Sequence, residues 1–212
     1  AGFLFACGLK GLLKELPLVA IMDILKSGNK VVQASLLFGL GLSYRGQFME
    51  SIERVLSMHI RSHFMNTLKI QISAELQGAA LLGYGFMYYN SCDRQALKTL
   101  FCEFQRTTSQ HEKTTIGYPP SFYLNVGIAI GMVSSGDMRT CLSTTQLDAL
   151  LSTANGHDLD GDREFAAIVA LMLGALGTGD TALANCVSLT DKQNIRPYFW
   201  FMKHLCRLLI EW

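Results

Sequence analysis

Two histidines, His59 and His63, have the spacing of paired metal ligands on one face of a helix. In zinc peptidases this spacing encloses a glutamate that acts as general base, whereas here the intervening residues are Ile60, Arg61 and Ser62. A guanidinium between two ligands opposes the binding of a cation, and the sequence offers no obvious third ligand. We therefore interpret the two residues as a histidine pair at a helix end rather than as a metal site.

Three alternating aspartates, Asp158, Asp160 and Asp162, resemble the start of a calcium-binding loop. An EF-hand loop needs glycine at its sixth position and glutamate at its twelfth. This chain has Arg163 and Val169 at those positions. We therefore expect a solvated linker in which Asp162 caps the following helix.

Two glycine pairs resemble the first half of a dinucleotide-binding fingerprint, namely Gly39 with Gly41 and Gly83 with Gly85. Tyr44 and Tyr88 occupy the place of the third glycine, and no strand pattern precedes either pair, so helix packing explains them better. The glycine-rich segment 174–180 lacks the Lys-Ser/Thr of a phosphate-binding loop, and no Gly-x-Ser-x-Gly motif occurs. We therefore predict no catalytic residue, no cofactor, no metal site and no enzyme activity.

The composition is that of a folded chain with little net charge. Of 212 residues, 50% are hydrophobic and 17% charged, with 18 basic against 17 acidic side chains, which excludes a disordered chain. The basic residues are scattered rather than clustered, so we expect no nucleic-acid partner. The uncharged stretches are broken by prolines and polar residues or are shorter than the roughly 20 residues of a membrane span, so we expect no membrane association.

Six cysteines stand singly in the sequence, with no Cys-x-x-Cys pair, at positions 7, 92, 102, 141, 186 and 206. This spacing is typical neither of a zinc ribbon nor of a small disulfide scaffold. We therefore expect the cysteines to be small core residues of a protein in a reducing compartment.

An internal repeat organises the chain. In four small and apolar runs a glycine precedes a turn residue by five positions, which pairs 41 with 46, 85 with 90, 131 with 136 and 174 with 179. After each turn comes a second helix-like segment, and those at 48–59 and 94–104 have one apolar face; the apolar face of 48–59 includes Phe48. Sustained alternation of apolar and polar residues is absent, so no strands are expected. The pattern predicts an all-α fold, an α-solenoid of helix–turn–helix repeats.

We expect a single domain over residues 1–212. Its repeats are predicted at about 2–29, 30–72, 73–118, 119–160 and 161–195, followed by an extra helix at 196–212. The first and shortest unit combines helices at 2–13 and 16–25. The chain starts and stops inside apolar runs, so we expect it to be a piece of a longer polypeptide whose array exposes apolar end faces.

Nine glycines fall inside the predicted first helices, where each costs about 0.8–1 kcal/mol relative to alanine. Their total cost, on the order of 8 kcal/mol, is comparable with the stability of a whole domain, so only close backbone approach could offset it. We therefore predict a buried inner row of glycine-rich helices and an outer amphipathic row. The predicted packing glycines are Gly8, Gly39, Gly41, Gly83, Gly85, Gly127, Gly131, Gly174 and Gly177.

These repeats resemble the proteasome/cyclosome (PC) repeat, which occurs in two large subunits of the proteasome regulatory particle and in the largest scaffold subunit of the anaphase-promoting complex. The resemblance extends over residues 2–60, 74–136 and 165–212. Three elements favour the anaphase-promoting complex family: the segment 51–60 that ends in Met-His-Ile, Gly117-Tyr118 followed by 125–133, and 178–185 with 205–212. The chain departs from the family in the short stretch 137–162, where a long insertion is common, and in Pro119-Pro120 at a helix start.

The resemblance implies a toroid of two concentric helical rings and a non-catalytic scaffold in a ubiquitin ligase that drives the exit from mitosis. The implied partners are a cullin-like and RING-finger pair, a doc-domain subunit, tetratricopeptide subunits and a coactivator propeller, in the nucleus and cytoplasm. One alternative is a PC-repeat scaffold subunit of the proteasome 19S regulatory particle, which would have ATPase partners. An alternative from another class is a helical enzyme or membrane protein.

Overall fold

A computed structural model of the chain describes residues 1–63, 72–106, 118–155, 161–176, 178–187 and 197–211. Within these ranges the chain forms helices and no β-strand, which confirms the predicted all-α fold. None of the described helices is long and apolar enough to cross a membrane. The α-helices are α1 (Gly2–Leu9), α2 (Leu18–Leu25), α3 (Lys30–Ser43), α4 (Glu50–Ser57), α5 (Ala74–Met87), α6 (Arg94–Phe104), α7 (Pro120–Val133), α8 (Met138–Cys141), α9 (Thr144–Ala154), α10 (Gly161–Gly174), α11 (Thr181–Cys186) and α12 (Pro197–Glu211), and two short 3₁₀ helices cover Leu12–Glu15 and Arg61–His63.

One row of helices stacks side by side in chain order. Helix α1 packs on α3, α3 on α5, α5 on α7, α7 on α10, and α10 on α12. The middle helices of this inner row are buried around most of their circumference, as the run from Gln77 to Leu81 in α5 illustrates. Because each inner helix contacts its neighbours in the row, the packing is that of an α-solenoid.

Five of the other helices form an outer row, each set against an inner helix: α2 on α3, α4 on α5, α6 on α7, α9 on α10 and α11 on α12. Helix α4 buries Ile52, Val55 and Leu56 and leaves Glu50 and Arg54 exposed, where they form an ion pair. This is the amphipathic pattern that the sequence predicts. One element of that prediction is wrong.

The exception is Phe48, which the sequence places on the buried face of the helix at 48–59. The helix begins only at Glu50, and the Phe48 side chain is 59% exposed. Similarly, the helix predicted at 2–13 ends at Leu9, because Gly11 adopts the left-handed conformation with φ of 73° and a 3₁₀ helix follows.

The short stretch 137–162 contains the helices α8 and α9 and the start of α10. Helix α9 begins with a capping box, in which Ser143 and Gln146 satisfy each other's backbone N–H groups. Helix α10 begins at Gly161, so Asp162 lies in its first turn and does not cap it. Asp158 and Asp160 lie outside the described residues.

The four turn residues that the glycine spacing predicts share one backbone conformation. Gly46, Asn90, Gly136 and Gly179 all have positive φ, at 64°, 54°, 91° and 65°. Glycine and asparagine adopt this conformation at low cost, which explains the residue types found at the turns. The recurrence of the conformation at these positions shows that successive inner helices end in the same way.

Backbone hydrogen bonds join three of these turns to the next inner helix. The N–H of Gly46 donates to the carbonyl of Phe86 at 3.1 Å, and the N–H of Asn90 donates to the carbonyl of Met132 at 2.9 Å. The N–H of Gly179 donates to the carbonyl of Ile210 at 2.9 Å. Helix α12 therefore occupies the position that α5 and α7 hold relative to the preceding turns.

The cysteines differ from the expectation of unpaired core residues. Cys92 and Cys141 form a disulfide with their Cα atoms 4.8 Å apart, which connects the turn after α5 to the end of α8. Of the others, Cys206 is buried, whereas Cys102 and Cys186 are exposed. The expectation was wrong for the pair because the two partners are separated by 49 residues, and only the stacking of neighbouring helices brings them together.

Candidate functional site

Glycines lie where the backbones of neighbouring inner helices meet. A Cβ atom added to Gly8 would be 2.5 Å from the Cα of Gly39, and one added to Gly85 would be 2.5 Å from the Cα of Ala129. A Cβ on Gly41 would overlap the backbone of Gly83. The contacts between α1 and α3, α3 and α5, and α5 and α7 therefore join backbone to backbone, with no room for a methyl group.

The same arrangement continues toward α10. A Cβ on Gly127 would overlap the carbonyl oxygen of Ala166, and one on Gly131 would be 2.9 Å from the carbonyl oxygen of Ala170. Gly174 faces the Met138 side chain of α8 instead. Gly177 lies outside the described residues.

One close glycine escaped the sequence analysis. A Cβ added to Gly78 in α5 would be 2.9 Å from the Nδ2 atom of Asn125 in α7. The position of Gly78 near the start of the apolar run could have indicated this contact. The residue lies outside the Gly-x-Gly spacing by which the other glycines of this helix were recognised. The neighbouring atom belongs to the end of a side chain, so this contact can adjust more easily than the backbone contacts.

A buried carboxylate connects the 3₁₀ helix Arg61–His63 with α5 and α6. Glu103 of α6 is fully buried and accepts hydrogen bonds from the backbone N–H of Ser62 at 2.6 Å and from the Gln77 side chain at 2.9 Å. It also accepts two bonds from the Arg106 guanidinium, at 3.0 and 3.1 Å. Its acceptor positions are thus largely satisfied, which is the condition for burying a charge. Sequence reasoning missed this group, although a glutamate among the apolar residues of α6 was a visible signal.

The two histidines singled out by their spacing do not share a helix. Helix α4 ends at Ser57, and His59 places its Nδ1 atom 3.0 Å from the carbonyl oxygen of Val55. His63 lies in the following 3₁₀ helix with its ring 6.1 Å from that of Tyr84. Burial lowers the pKa of His63, although the nearby carboxylates oppose this shift. In the described ranges, no group of three or more His, Cys, Asp or Glu side chains could hold a metal ion.

Two tyrosines form a second polar cluster: Tyr84 lies in α5, and Tyr88 directly follows this helix. Tyr84 is buried, and its ring centroid lies 4.7 Å from that of Tyr88. The Tyr88 hydroxyl donates a hydrogen bond to Glu53 of α4 at 3.2 Å. Burial raises the pKa of Tyr84 to about 12 and also raises the pKa of Tyr88. Both phenols therefore stay protonated near neutral pH and link the inner helix to the outer one.

Aromatic rings form a ladder along one exposed side of the inner row. Phe5 of α1 stacks on Phe38 of α3 with centroids 5.4 Å apart, and Phe38 lies 5.6 Å from Phe86 of α5. An open groove of about 520 Å³ runs past these helices and reaches Ser121 and Asn125 of α7. A surface of this kind can bind a protein segment but carries no arrangement of acid, base and nucleophile.

Apolar side chains are also exposed at the first units of the array. In α1 and α2, Phe3 is 79% exposed, Leu9 61% and Val19 71%, and Leu208 of α12 is 63% exposed at the other end. Clusters of exposed apolar residues are typical of surfaces that contact other protein.

Two family models match the chain. The model described as APC1 fifth domain matches residues 50–212, and the model described as APC1 fourth domain matches residues 1–45. The first match alone covers well over half of the chain. The chain belongs to the anaphase-promoting complex subunit 1 family. The resemblance on which the sequence analysis relied is thereby confirmed.

Relatives of this family from distant eukaryotes match the whole chain. The chain is 28% identical over 229 residues to the negative regulator of mitosis of Emericella nidulans, and this match covers 11% of that protein. It is 26% identical to anaphase-promoting complex subunit 1 of Homo sapiens over 246 residues, 13% of that protein, and 26% identical to the Arabidopsis thaliana subunit over 240 residues, 14% of that protein. The chain therefore spans about an eighth of the length of these relatives.

Proposed function

We propose that the chain is a scaffold segment of the anaphase-promoting complex, a ubiquitin ligase of the cell cycle, and that it spaces other subunits without catalysing ubiquitin transfer. The family match over the whole chain supports the assignment to this complex. The observation that carries the scaffold role is the row of inner helices in direct backbone contact. A helix pair in such contact has little freedom to slide or tilt, because backbone atoms that meet directly cannot move aside by changing rotamer.

The proposal that the chain is not an enzyme is supported by the polar groups at its core. Glu103, the fully buried carboxylate, is engaged by three hydrogen-bonding partners from its own and neighbouring elements. Lys203 of α12 pairs with Glu164 of α10 at 2.8 Å, although both are largely buried. Groups held in this way stabilise helix contacts and are not poised to act on a substrate.

The finer features implied by the resemblance belong to the same proposal. The inner and outer rows would continue into two concentric rings of a toroid, and the nine predicted glycines would serve as its packing positions. The repeat boundaries near residues 29, 72, 118, 160 and 195 remain part of this proposal. The partners would be the cullin-like and RING-finger pair, the doc-domain subunit, the tetratricopeptide subunits and the coactivator propeller, in the nucleus and cytoplasm.

The alternative of a proteasome regulatory-particle scaffold has less support, because the matching family models are those of anaphase-promoting complex subunit 1. Affinity purification of the full-length parent protein, with quantitative mass spectrometry of the bound proteins, separates the two. We expect cullin-like, RING-finger and tetratricopeptide subunits to be enriched over a mock purification. Enrichment of proteasomal ATPases and lid subunits instead would contradict the proposal while leaving the fold unaffected.

A further inference from the structure

An open pocket of about 400 Å³ lies beside the first two turns of the array. Three aromatic residues, Phe48, Tyr88 and Tyr89, line it together with Met87 and the carboxylate of Asp93. Phe48 and Tyr88 hold their ring centroids 5.8 Å apart, and Phe48 is 59% exposed. The Phe48 ring is therefore accessible to a ligand in this pocket.

Two carboxylates lie at this pocket. Asp93 lines the pocket, and Glu53 lies behind it, where it accepts a hydrogen bond from the Tyr88 hydroxyl. Both carboxylates contribute to the raised pKa of the neighbouring Tyr84, after the larger effect of burial. None of the residues that line the pocket is basic. Aromatic faces beside a carboxylate form the usual binding site for an organic cation.

The guanidinium of Arg45 already stacks on one of these aromatic rings. The guanidinium carbon of Arg45 lies 4.3 Å from the centroid of the Tyr89 ring, and Arg45 is not among the residues that line the pocket. The Oδ1 atom of Asp93 accepts the backbone N–H of Ala96 at 2.7 Å as the cap of α6. A carboxylate has two oxygens and about four acceptor positions, so Asp93 can still accept from a ligand.

We propose that this pocket binds an arginine side chain of a partner protein. Its guanidinium packs against the aromatic side chains that face the pocket and donates to Asp93. Arginine fits better than lysine because its planar head stacks on aromatic rings while its edge donates several hydrogen bonds in one plane. The inference concerns the ligand chemistry of this pocket and does not depend on which complex contains the chain.

The test is a titration of the chain, labelled with ¹³C in the methionine methyl groups, with Nα-acetyl-arginine methylamide. The Met87 signal, assigned with the M87L variant, reports on the pocket. The matched ligand is Nα-acetyl-citrulline methylamide, which has nearly the same shape without the charge. We expect a saturable shift of the Met87 signal with arginine and binding of citrulline that is at least about fivefold weaker. Equal binding of the two ligands would overturn the proposal, and so would tighter binding of Nα-acetyl-lysine methylamide.

Two variants keep the fold and change the pocket. D93N removes the charge but preserves the cap of α6, since asparagine caps helices as well as aspartate does. F48A removes an aromatic face that is mostly exposed. We expect each variant to weaken arginine binding about two- to fivefold. The circular dichroism spectrum should stay unchanged in both variants, and D93N should leave the binding of citrulline unchanged. The control is D137N, which makes the same substitution at the cap of α8. Unchanged arginine binding in D93N, or an equal loss in D137N, would refute the assignment.

Discussion

Replacement of Gly41 by alanine tests whether the inner helices need direct backbone contact. On an isolated helix the substitution stabilises by about 1 kcal/mol, because alanine has the higher helix propensity. In the folded chain the new Cβ would overlap the backbone of Gly83, far inside ordinary contact distance. Both sides of this contact are backbone, so no side chain can move aside.

The expected net effect follows from these opposed contributions. To restore ordinary contact, α3 and α5 must separate by about 1 Å along an interface between two 14-residue helices, which loosens their close packing. Overpacking of a core costs about 1–3 kcal/mol and sometimes more. Because both sides of this contact are backbone, we expect the upper part of this range, about 2–3 kcal/mol. After the gain of about 1 kcal/mol in helix propensity, G41A should lower the free energy of unfolding by about 1–2 kcal/mol, which reverses the sign that propensity alone would give.

The assay is urea unfolding followed by circular dichroism at 222 nm, with two matched glycine-to-alanine variants. Gly2 lies in α1 with no atom within 4 Å of its added Cβ, so we expect G2A to leave the midpoint unchanged or raise it. Gly78 meets only the end of the Asn125 side chain, so G78A should fall between the two. If G41A unfolds at the same or a higher urea concentration than the unsubstituted chain, the packing argument is refuted.

Three further predictions concern the polar and sulfur groups. E103Q should lower the free energy of unfolding by about 3 kcal/mol in the same assay, because it leaves the Arg106 charge without its partner; a loss below about 1 kcal/mol would contradict the buried network. Reduction of the Cys92–Cys141 disulfide should lower stability by up to about 4 kcal/mol for its separation of 49 residues, whereas the C92S/C141S double variant should not respond to reductant; an equal response of both would contradict the pairing. The folded chain holds the pKa of His63 below its ordinary value of 6.5, so the stability that neutral His63 contributes is fully present above pH 6.5 and is lost as the pH falls below that value. H63N should flatten this part of the stability–pH profile, and an unchanged profile would contradict the lowered pKa of His63.

The sequence was sufficient for the features that depend on backbone conformation. Positive φ at the turns requires glycine or asparagine, so the spacing of Gly46, Asn90, Gly136 and Gly179 was visible without any structure. The amphipathic face of α6 was equally visible, and its predicted bounds agree with the observed ones. Both signals are local in the chain and do not depend on what packs against them.

Features that depend on pairs of distant residues could not be predicted in this way. The partner of Gly85 is Ala129 rather than a glycine, so the contact continues where the Gly-x-Gly pattern stops. Helix α9 was not predicted because the many polar residues of the stretch 137–162 hide its short apolar face, although Ser143 and Gln146 formed a readable capping box. The burial of Glu103 depends on Ser62 and Gln77, which only the stacked helices bring together.

The most direct test of the scaffold proposal combines the packing argument with assembly. G41A and G2A are introduced separately into the full-length parent protein, and sedimentation through a density gradient is followed by immunoblotting for the other subunits of the complex. We predict that the G2A protein cosediments with the complex like the unsubstituted protein, while the G41A protein shifts toward smaller fractions together with a loss of associated subunits. Normal cosedimentation of a G41A protein whose unfolding midpoint is clearly lowered would contradict the claim that this rigid inner row holds the complex together.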